Sequence, residues 1–372
     1  MNWIRGPLLG RGSFATVNVA IPTAGFTDQL PSVFAVKSSN VHTSYMLKNE
    51  KDVLHRLLSS PYVITCFGHD HTFENGHHFY NVFLEYASGG SLADHLKKHG
   101  GNLPEPHVRR YTRSILEGLK HIHANGLVHC DVKLQNILVF HYGHDVNNNC
   151  GDPGHVKIAD FGLAKEKGEK QTKCEYRGTP LFMSPESVND NEYESPADIW
   201  ALGCAVVEMV TGKPAWDIGS GSNIWSMLIR IGMGKELPKV PEELSQEGKD
   251  FLGKCFVKDP DKRWSADMLL NHPFVTVSLE RVNQQLPSLS PTTHFDFSHW
   301  DSTVTPSLPC SPSQWQLCSS SLLADRLRRL VTDQRPAVWS DSDSWTSLIA
   351  TVGCSSTSDM FLVIPQDMCI FL

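Results

Sequence analysis

The sequence predicts an α+β fold in two lobes, a small β-rich N-terminal lobe and a larger helical C-terminal lobe, followed by a mostly disordered tail. Three observations carry this. Residues 3–85 alternate apolar and polar side chains in short runs around one helical stretch. From Ser91 to about Phe274 the apolar residues recur at helical spacing. Beyond residue 280 Ser, Thr and Pro crowd the chain without periodicity. The folded unit is therefore expected over 3–274 and the tail over 275–372.

The strands come first. Ala15-Thr16-Val17-Asn18-Val19-Ala20 and Val33-Phe34-Ala35-Val36-Lys37 alternate with period two and are joined by a loop rich in Pro and Gly over residues 22–31. A helix follows, with Leu47, Leu54, Leu57 and Leu58 assigned to its apolar face and Glu50 one turn before Leu54. His78 to Leu84 reads as another strand, running into Glu85-Tyr86-Ala87. In the second lobe Val108, Tyr111, Ile115, Leu119 and Ile122 form a helical stripe, opened by Pro104-Glu105 and closed by Asn125-Gly126. Further helices run from Asp198 through Glu208 and across Phe251, Leu252 and Cys255.

Composition narrows the function classes. A 40% apolar content over 372 residues supports a sizeable core. The formal charge of -7 rules out a globally basic surface, so neither nucleic acid nor anionic membrane is an expected partner. Ten cysteines are scattered without a C-x-x-C pair, which fits a reducing compartment, and no 18-residue apolar run is present. The expected location is cytoplasm and/or nucleus, without stable membrane insertion. Histidines cluster at His69, His71, His77 and His78, and at His141, His144 and His155 with Cys150, but without zinc spacing; they read as hairpins and loops.

The chemistry concentrates in His129-Cys130-Asp131-Val132-Lys133-Leu134-Gln135-Asn136. Asp131 can orient and deprotonate a hydroxyl, Lys133 can neutralise a moving phosphate, and Asn136 can hold Mg²⁺. Upstream, Leu9 leads into Gly10-Arg11-Gly12-Ser13-Phe14-Ala15-Thr16-Val17, a turn between strands where backbone N–H groups can approach the phosphates of ATP while Val17 touches adenine. Lys37 sits on a strand, where it can pair with the α- and β-phosphates, and Glu50 is its expected ionic partner. Downstream, Asp160-Phe161-Gly162 follows the buried strand Val156-Lys157-Ile158-Ala159 and supplies the second Mg²⁺ ligand, Asp160. The Gly-rich turn alone is weak, since such a turn is commonly just a turn; the order of the motifs along the chain is what makes the set specific.

With Gly178-Thr179-Pro180, Ser184-Pro185-Glu186, Asp198-Ile199-Trp200-Ala201-Leu202-Gly203 and Arg263 added, the chain from Trp3 to Phe274 resembles the eukaryotic protein kinases. The resemblance implies the bilobal protein kinase fold, a buried Glu186–Arg263 ion pair, and Asp198 as support of the catalytic loop. It also implies that Glu85 and Ala87 form the hinge against adenine, with Leu84 as gatekeeper. Lys133 and Gly178-Thr179-Pro180 resemble the serine/threonine class. A finer similarity, carried by Met1-Asn2-Trp3-Ile4-Arg5-Gly6, the Gly-rich turn, His129-Cys130-Asp131 and Arg177-Gly178-Thr179-Pro180, is to short plant MAP kinase kinase kinases of the MEKK-like group. That implies a MAP kinase kinase as substrate and a role in stress or abscisic-acid signalling. The rival reading is a pseudokinase scaffold organising a MAP kinase cascade; retention of Lys37, Asp131 and Asp160 argues against it.

Three departures stand out. Cys130 occupies the place of an Arg that clamps a phosphate in many kinases, so activity should depend less on phosphorylation between Asp160 and Glu186. Ala15 and Ser184 replace Gly and Ala without removing a catalytic group. Thr172, Tyr176 and Thr179 are phosphosite candidates, Thr179 reading rather as a pocket residue. In the tail, Ser290-Pro291, Thr305-Pro306 and Ser311-Pro312 have the form that MAP kinases phosphorylate in feedback. Phe295, Phe297, Trp300, Trp339 and Trp345 read as docking anchors. Cys369-Ile370-Phe371-Leu372 has the form of a prenylation site, but no polybasic segment precedes Cys369.

Overall fold

Period-two alternation places Ala35 and Lys37 on one face of a sheet and Phe34 and Val36 on the other. The computed structural model builds that sheet from β1 (Trp3–Arg11), β2 (Thr16–Pro22), β3 (Phe34–Asn40), β4 (Cys66–Glu74) and β5 (His77–Leu84), in the antiparallel order β1-β2-β3-β5-β4. It describes residues 2–12, 14–23, 30–58, 60–141, 154–169, 176–217 and 224–276. Ser13, Thr172, His144, Cys150, Cys369 and every motif assigned to the tail lie outside them.

One face of the sheet looks toward α1 (Tyr45–Arg56) and contributes Ala35, Val82 and Leu84 to the main core. The opposite face carries a small core of its own, with Trp3 edge-on to Phe83 at 5.6 Å and Phe34 edge-on to Phe83 at 5.2 Å. Trp3 is anchored further by Nε1–H donating to Asp70 Oδ2 at 3.1 Å. Beside it Arg5 donates to both Glu74 oxygens at 2.8 and 3.1 Å, closing the sheet's first and last strands together. Of the residues assigned to the apolar face of α1, Leu47, Leu54 and Leu57 are buried but Leu58 is 50% exposed. The helix stops at Arg56, with the Leu57 N–H donating to both Val53 O and Leu54 O. The helix therefore ends two residues before Leu58, with Leu57 as its cap.

The second lobe contains α2 (Leu92–Lys98), α3 (Glu105–Ala124), β6 (Leu127–Val128), β7 (Ile137–Phe140), β8 (His155–Ile158), β9 (Lys165–Glu166), α4 (Pro185–Asn189), α5 (Ser195–Thr211), α6 (Ile224–Gly232), α7 (Gln246–Cys255) and α8 (Ala266–Leu270). A capping box between Ser91 and Asp94 starts α2. The stripe Val108, Tyr111, Ile115, Leu119 and Ile122 is fully buried along α3. Helix α5 is apolar on nearly all sides and runs through the core, where Trp200 has no exposed surface. It ends on Gly212 at φ 69°, where a Cβ would lie 2.0 Å from Gly101 O, so only glycine fits. Phe274 and Val275 close the core.

Strands β7 and β8 pair antiparallel, Ile137 opposite Ile158. Ile158 also exchanges backbone bonds with Tyr62 and Ile64, fixing the chain after α1 to the strand that precedes Asp160. Both lobes thus meet at β8.

Candidate active site

The loop between β6 and β7 is shaped from below by α5. Asp198, in the first turn of that helix, is 1% exposed; its Oδ2 accepts the His129 N–H and its Oδ1 the Cys130 N–H, each at 2.9 Å. His123 holds Oδ2 as well, at 2.8 Å. Burial alone would raise the Asp198 carboxyl, but these donors hold it below the usual range. The bonds place Cys130 at φ 66°, a left-handed conformation that L-residues rarely adopt. His129 Nδ1 accepts the Asp131 N–H at 3.2 Å, so the ring proton sits on Nε2 and points to Ala159 O at 3.1 Å. The same ring meets Phe161 edge-on at 4.9 Å.

Asp131 stands at the centre of a closed polar set. Its Oδ1 accepts the Thr179 hydroxyl at 2.7 Å, and its Oδ2 accepts Asn136 Nδ2 at 2.9 Å and pairs with Lys133 Nζ at 2.8 Å. Lys133 reaches Thr179 Oγ1 at 2.7 Å. Asn136 Nδ2 also donates to Asp131 O at 2.8 Å, leaving Oδ1 for a cation. The Ala159 N–H donates to Asn136 O at 2.9 Å, which brings Asn136 alongside Asp160.

Lys37 links the two lobes. Its Nζ lies 2.6 Å from Glu50 Oε2 and 2.9 Å from Asp160 Oδ1. Burial would lower the Lys37 pKa, yet the two carboxylates override it and hold the ammonium above its ordinary range. The Asp160 carboxyl, which burial alone would raise, is held below its usual range by Lys37. Asp160 is also left-handed, at φ 64°. Beside Glu50, Asn49 Nδ2 brackets the loop that follows Asp160, with Ala164 O at 2.9 Å and Gly162 O at 3.2 Å. Asn49 was not legible as a site residue; its one signal was an amide beside Glu50 on an amphipathic helix.

Gly10 and Arg11 pair with Val17 and Thr16, and the Gly12 N–H closes the turn on Ala15 O at 2.8 Å. A Cβ on Gly10 would meet nothing within 4 Å, so the backbone borders open space. Leu9 and Val17 pack partly buried on the main core with Leu138 of β7, a residue the sequence reading left out. Phe14 is 46% exposed. In the hinge the Glu85 carboxylate turns away to Lys157, at 2.7 and 2.8 Å, while its N–H donates to Thr65 O. The Glu85 charge is therefore engaged by Lys157.

The profile of the protein kinase domain matches residues 3–275. The chain belongs to the protein kinase family. Among curated proteins it is 49% identical to mitogen-activated protein kinase kinase kinase 20 of Arabidopsis thaliana, over 94% of this chain and all of that protein. Kinase kinase kinases 17 and 18 of the same plant are 42% and 40% identical, over 81% and 86% of this chain and 78% and 90% of theirs. This kinase is thus homologous to MAP kinase kinase kinases, and its family uses ATP. No helix among the described residues is long and apolar enough to cross a membrane. The oxygen donors of Asp160 and Asn136 suit Mg²⁺, which typically takes one or two protein ligands plus phosphate oxygens, and the open space at Gly10 suits close backbone approach by phosphate.

Proposed function

We propose that this kinase transfers the γ-phosphoryl group of ATP to a serine or threonine hydroxyl of a MAP kinase kinase. The observation that carries it is the set centred on Asp131, whose carboxylate is held at both oxygens by Thr179, Asn136 and Lys133. Asp131 orients the incoming hydroxyl and takes its proton. Lys133 offsets charge on the transferring group, and Lys37, fixed by Glu50, holds the α- and β-phosphates. The backbone of Gly10 to Val17 covers the phosphates, while Glu85 and Ala87 present main-chain groups to adenine beneath Leu84. Asn136 and Asp160 would hold Mg²⁺, which when bound neutralises charge on the phosphates.

The finer reading, from family resemblance, is a role in stress or abscisic-acid signalling in cytoplasm or nucleus. The test is transfer of labelled γ-phosphate to a panel of catalytically dead MAP kinase kinases, with wild type against Asp131→Asn. Selective labelling that falls by about 10²–10⁴ in the variant supports the reading. Labelling of a generic protein alone removes the MAP kinase kinase assignment, and no labelling by folded, ATP-binding protein removes catalysis.

A further inference from the structure

The stretch from Asp160 to Glu186 is tied at both ends to Tyr193-Glu194, the two residues that lead into α5. At its start, Lys165 Nζ donates to Tyr193 O at 2.9 Å and to Glu194 Oε1 at 3.1 Å. The same Oε1 accepts the Gly168 N–H at 2.9 Å. At its far end, the Arg177 N–H donates to the Tyr193 hydroxyl at 2.8 Å, and Arg177 Nη1 crosses back to Leu163 O at 2.9 Å. The Lys165 side chain is only 5% exposed, so its ammonium depends on this pairing.

Lys165 and Arg177 both bond to Tyr193, and Arg177 lines one cavity with Cys130, the position from which a guanidinium would otherwise reach a phosphate. Both are already satisfied by internal acceptors, and Glu194 supplies the only carboxylate paired with either among the described residues. Its second oxygen, Oε2, is buried and has no hydrogen-bond partner among the described residues, an arrangement that costs stability.

We propose that Glu194 is a positioning residue acting as a built-in substitute for an activation-segment phosphate, holding Lys165 and Gly168 so that the segment is set for substrate without modification. A phosphate draws such a segment together by charge-assisted bonds to nearby cations. Glu194 does so with one fixed charge, leaving Arg177 free to strap the two ends. The inference rests on the kinase reading above and identifies how that site is kept competent.

The experiment uses full-length protein stripped by phosphatase and shown by mass spectrometry to carry no phosphate. Wild type should keep its kcat. Glu194→Ala should lose at least about tenfold in kcat while ATP affinity stays within about twofold, with faster hydrogen exchange over residues 163–168. Glu194→Asp should recover part of the loss. The double variant Lys165→Met/Glu194→Ala separates positioning from charge balance. If Glu194 only neutralises a buried lysine, removing both restores kcat and overturns the proposal; if it positions the segment, the double stays as low as the single. A wild type inactivated by phosphatase and restored by autophosphorylation also overturns it, as does Glu194→Ala with wild-type kcat. Should Glu194→Ala fail to fold, unchanged exchange over 163–168 in Glu194→Gln overturns it equally. If wild type transfers no phosphate yet exchange responds as expected, the catalytic reading fails and the latch stands.

Discussion

Arg263 offers the sharpest test of how the helical lobe is held. Its guanidinium has no exposed surface and grips Glu186 with two bonds, Nη1 to Oε1 at 2.6 Å and Nη2 to Oε2 at 3.0 Å. It also donates to Val257 O at 2.9 Å and Pro196 O at 2.8 Å, and lies 5.2 Å over the Trp200 ring. Arg263→Ala leaves the Glu186 carboxylate buried and unpaired, which costs about 3–5 kcal/mol. Against a total stability of about 5–15 kcal/mol that is a large fraction. With a urea m-value of about 3 kcal/mol/M, the midpoint should fall by about 1–1.7 M. The assay is equilibrium urea unfolding of the full chain, followed by tryptophan fluorescence and far-UV circular dichroism together. Glu186→Ala/Arg263→Ala should recover part of the loss, because no unpaired charge remains. A midpoint shift below about 0.3 M in Arg263→Ala, or a double variant worse than the single, would refute the reasoning.

Two further predictions concern titratable groups. Burial pushes the Glu208 carboxyl from 4.5 up to about 7, so between those values the folded chain binds a proton that the unfolded chain has released. Stability from this group is therefore lost as pH rises through that window. From pH 5 to pH 8, Glu208→Gln should gain up to about 3 kcal/mol on wild type in urea unfolding, and a constant difference would contradict the assignment. Burial, reinforced by Asp198, raises the Cys130 thiol well above its ordinary range, so it should resist alkylation by iodoacetamide at pH 7.5 in native protein and react once unfolded; rapid native labelling would show the thiol to be accessible.

The residues proposed to do the chemistry were legible because phosphoryl transfer imposes local spacing. Asp131, Lys133 and Asn136 lie in one loop, and all three converge in space. Glu50 was legible because helical period separates it from Asp52, which is exposed and pairs with its neighbour Lys51. What escaped depends on distant chain segments meeting. Trp3 and Arg5 owe their burial to Phe83, Asp70 and Glu74, none predictable from the first strand alone. Strand β4 escaped because Cys66-Phe67-Gly68-His69-Asp70-His71 lacks apolar alternation. The Thr179 bond to Asp131 and the Asn49 bracket join residues 48 and 115 positions apart, beyond any local pattern.

Two non-glycine residues flanking the chemistry, Cys130 at φ 66° and Asp160 at φ 64°, carry a backbone shape that costs about 1–3 kcal/mol each to maintain. Neither shape is intrinsic to its loop. The first is imposed by Asp198 on the central helix, and the second is accompanied by the Lys37 ion pair. Competence is therefore on loan from the scaffold, and it is the first thing to be returned. A slight loosening of the opening turn of α5 lets the loop relax to an ordinary conformation while the rest of the molecule stays intact. The expected outcome is that activity falls at a lower temperature than the unfolding midpoint, read by kinase assay and circular dichroism over one heating series.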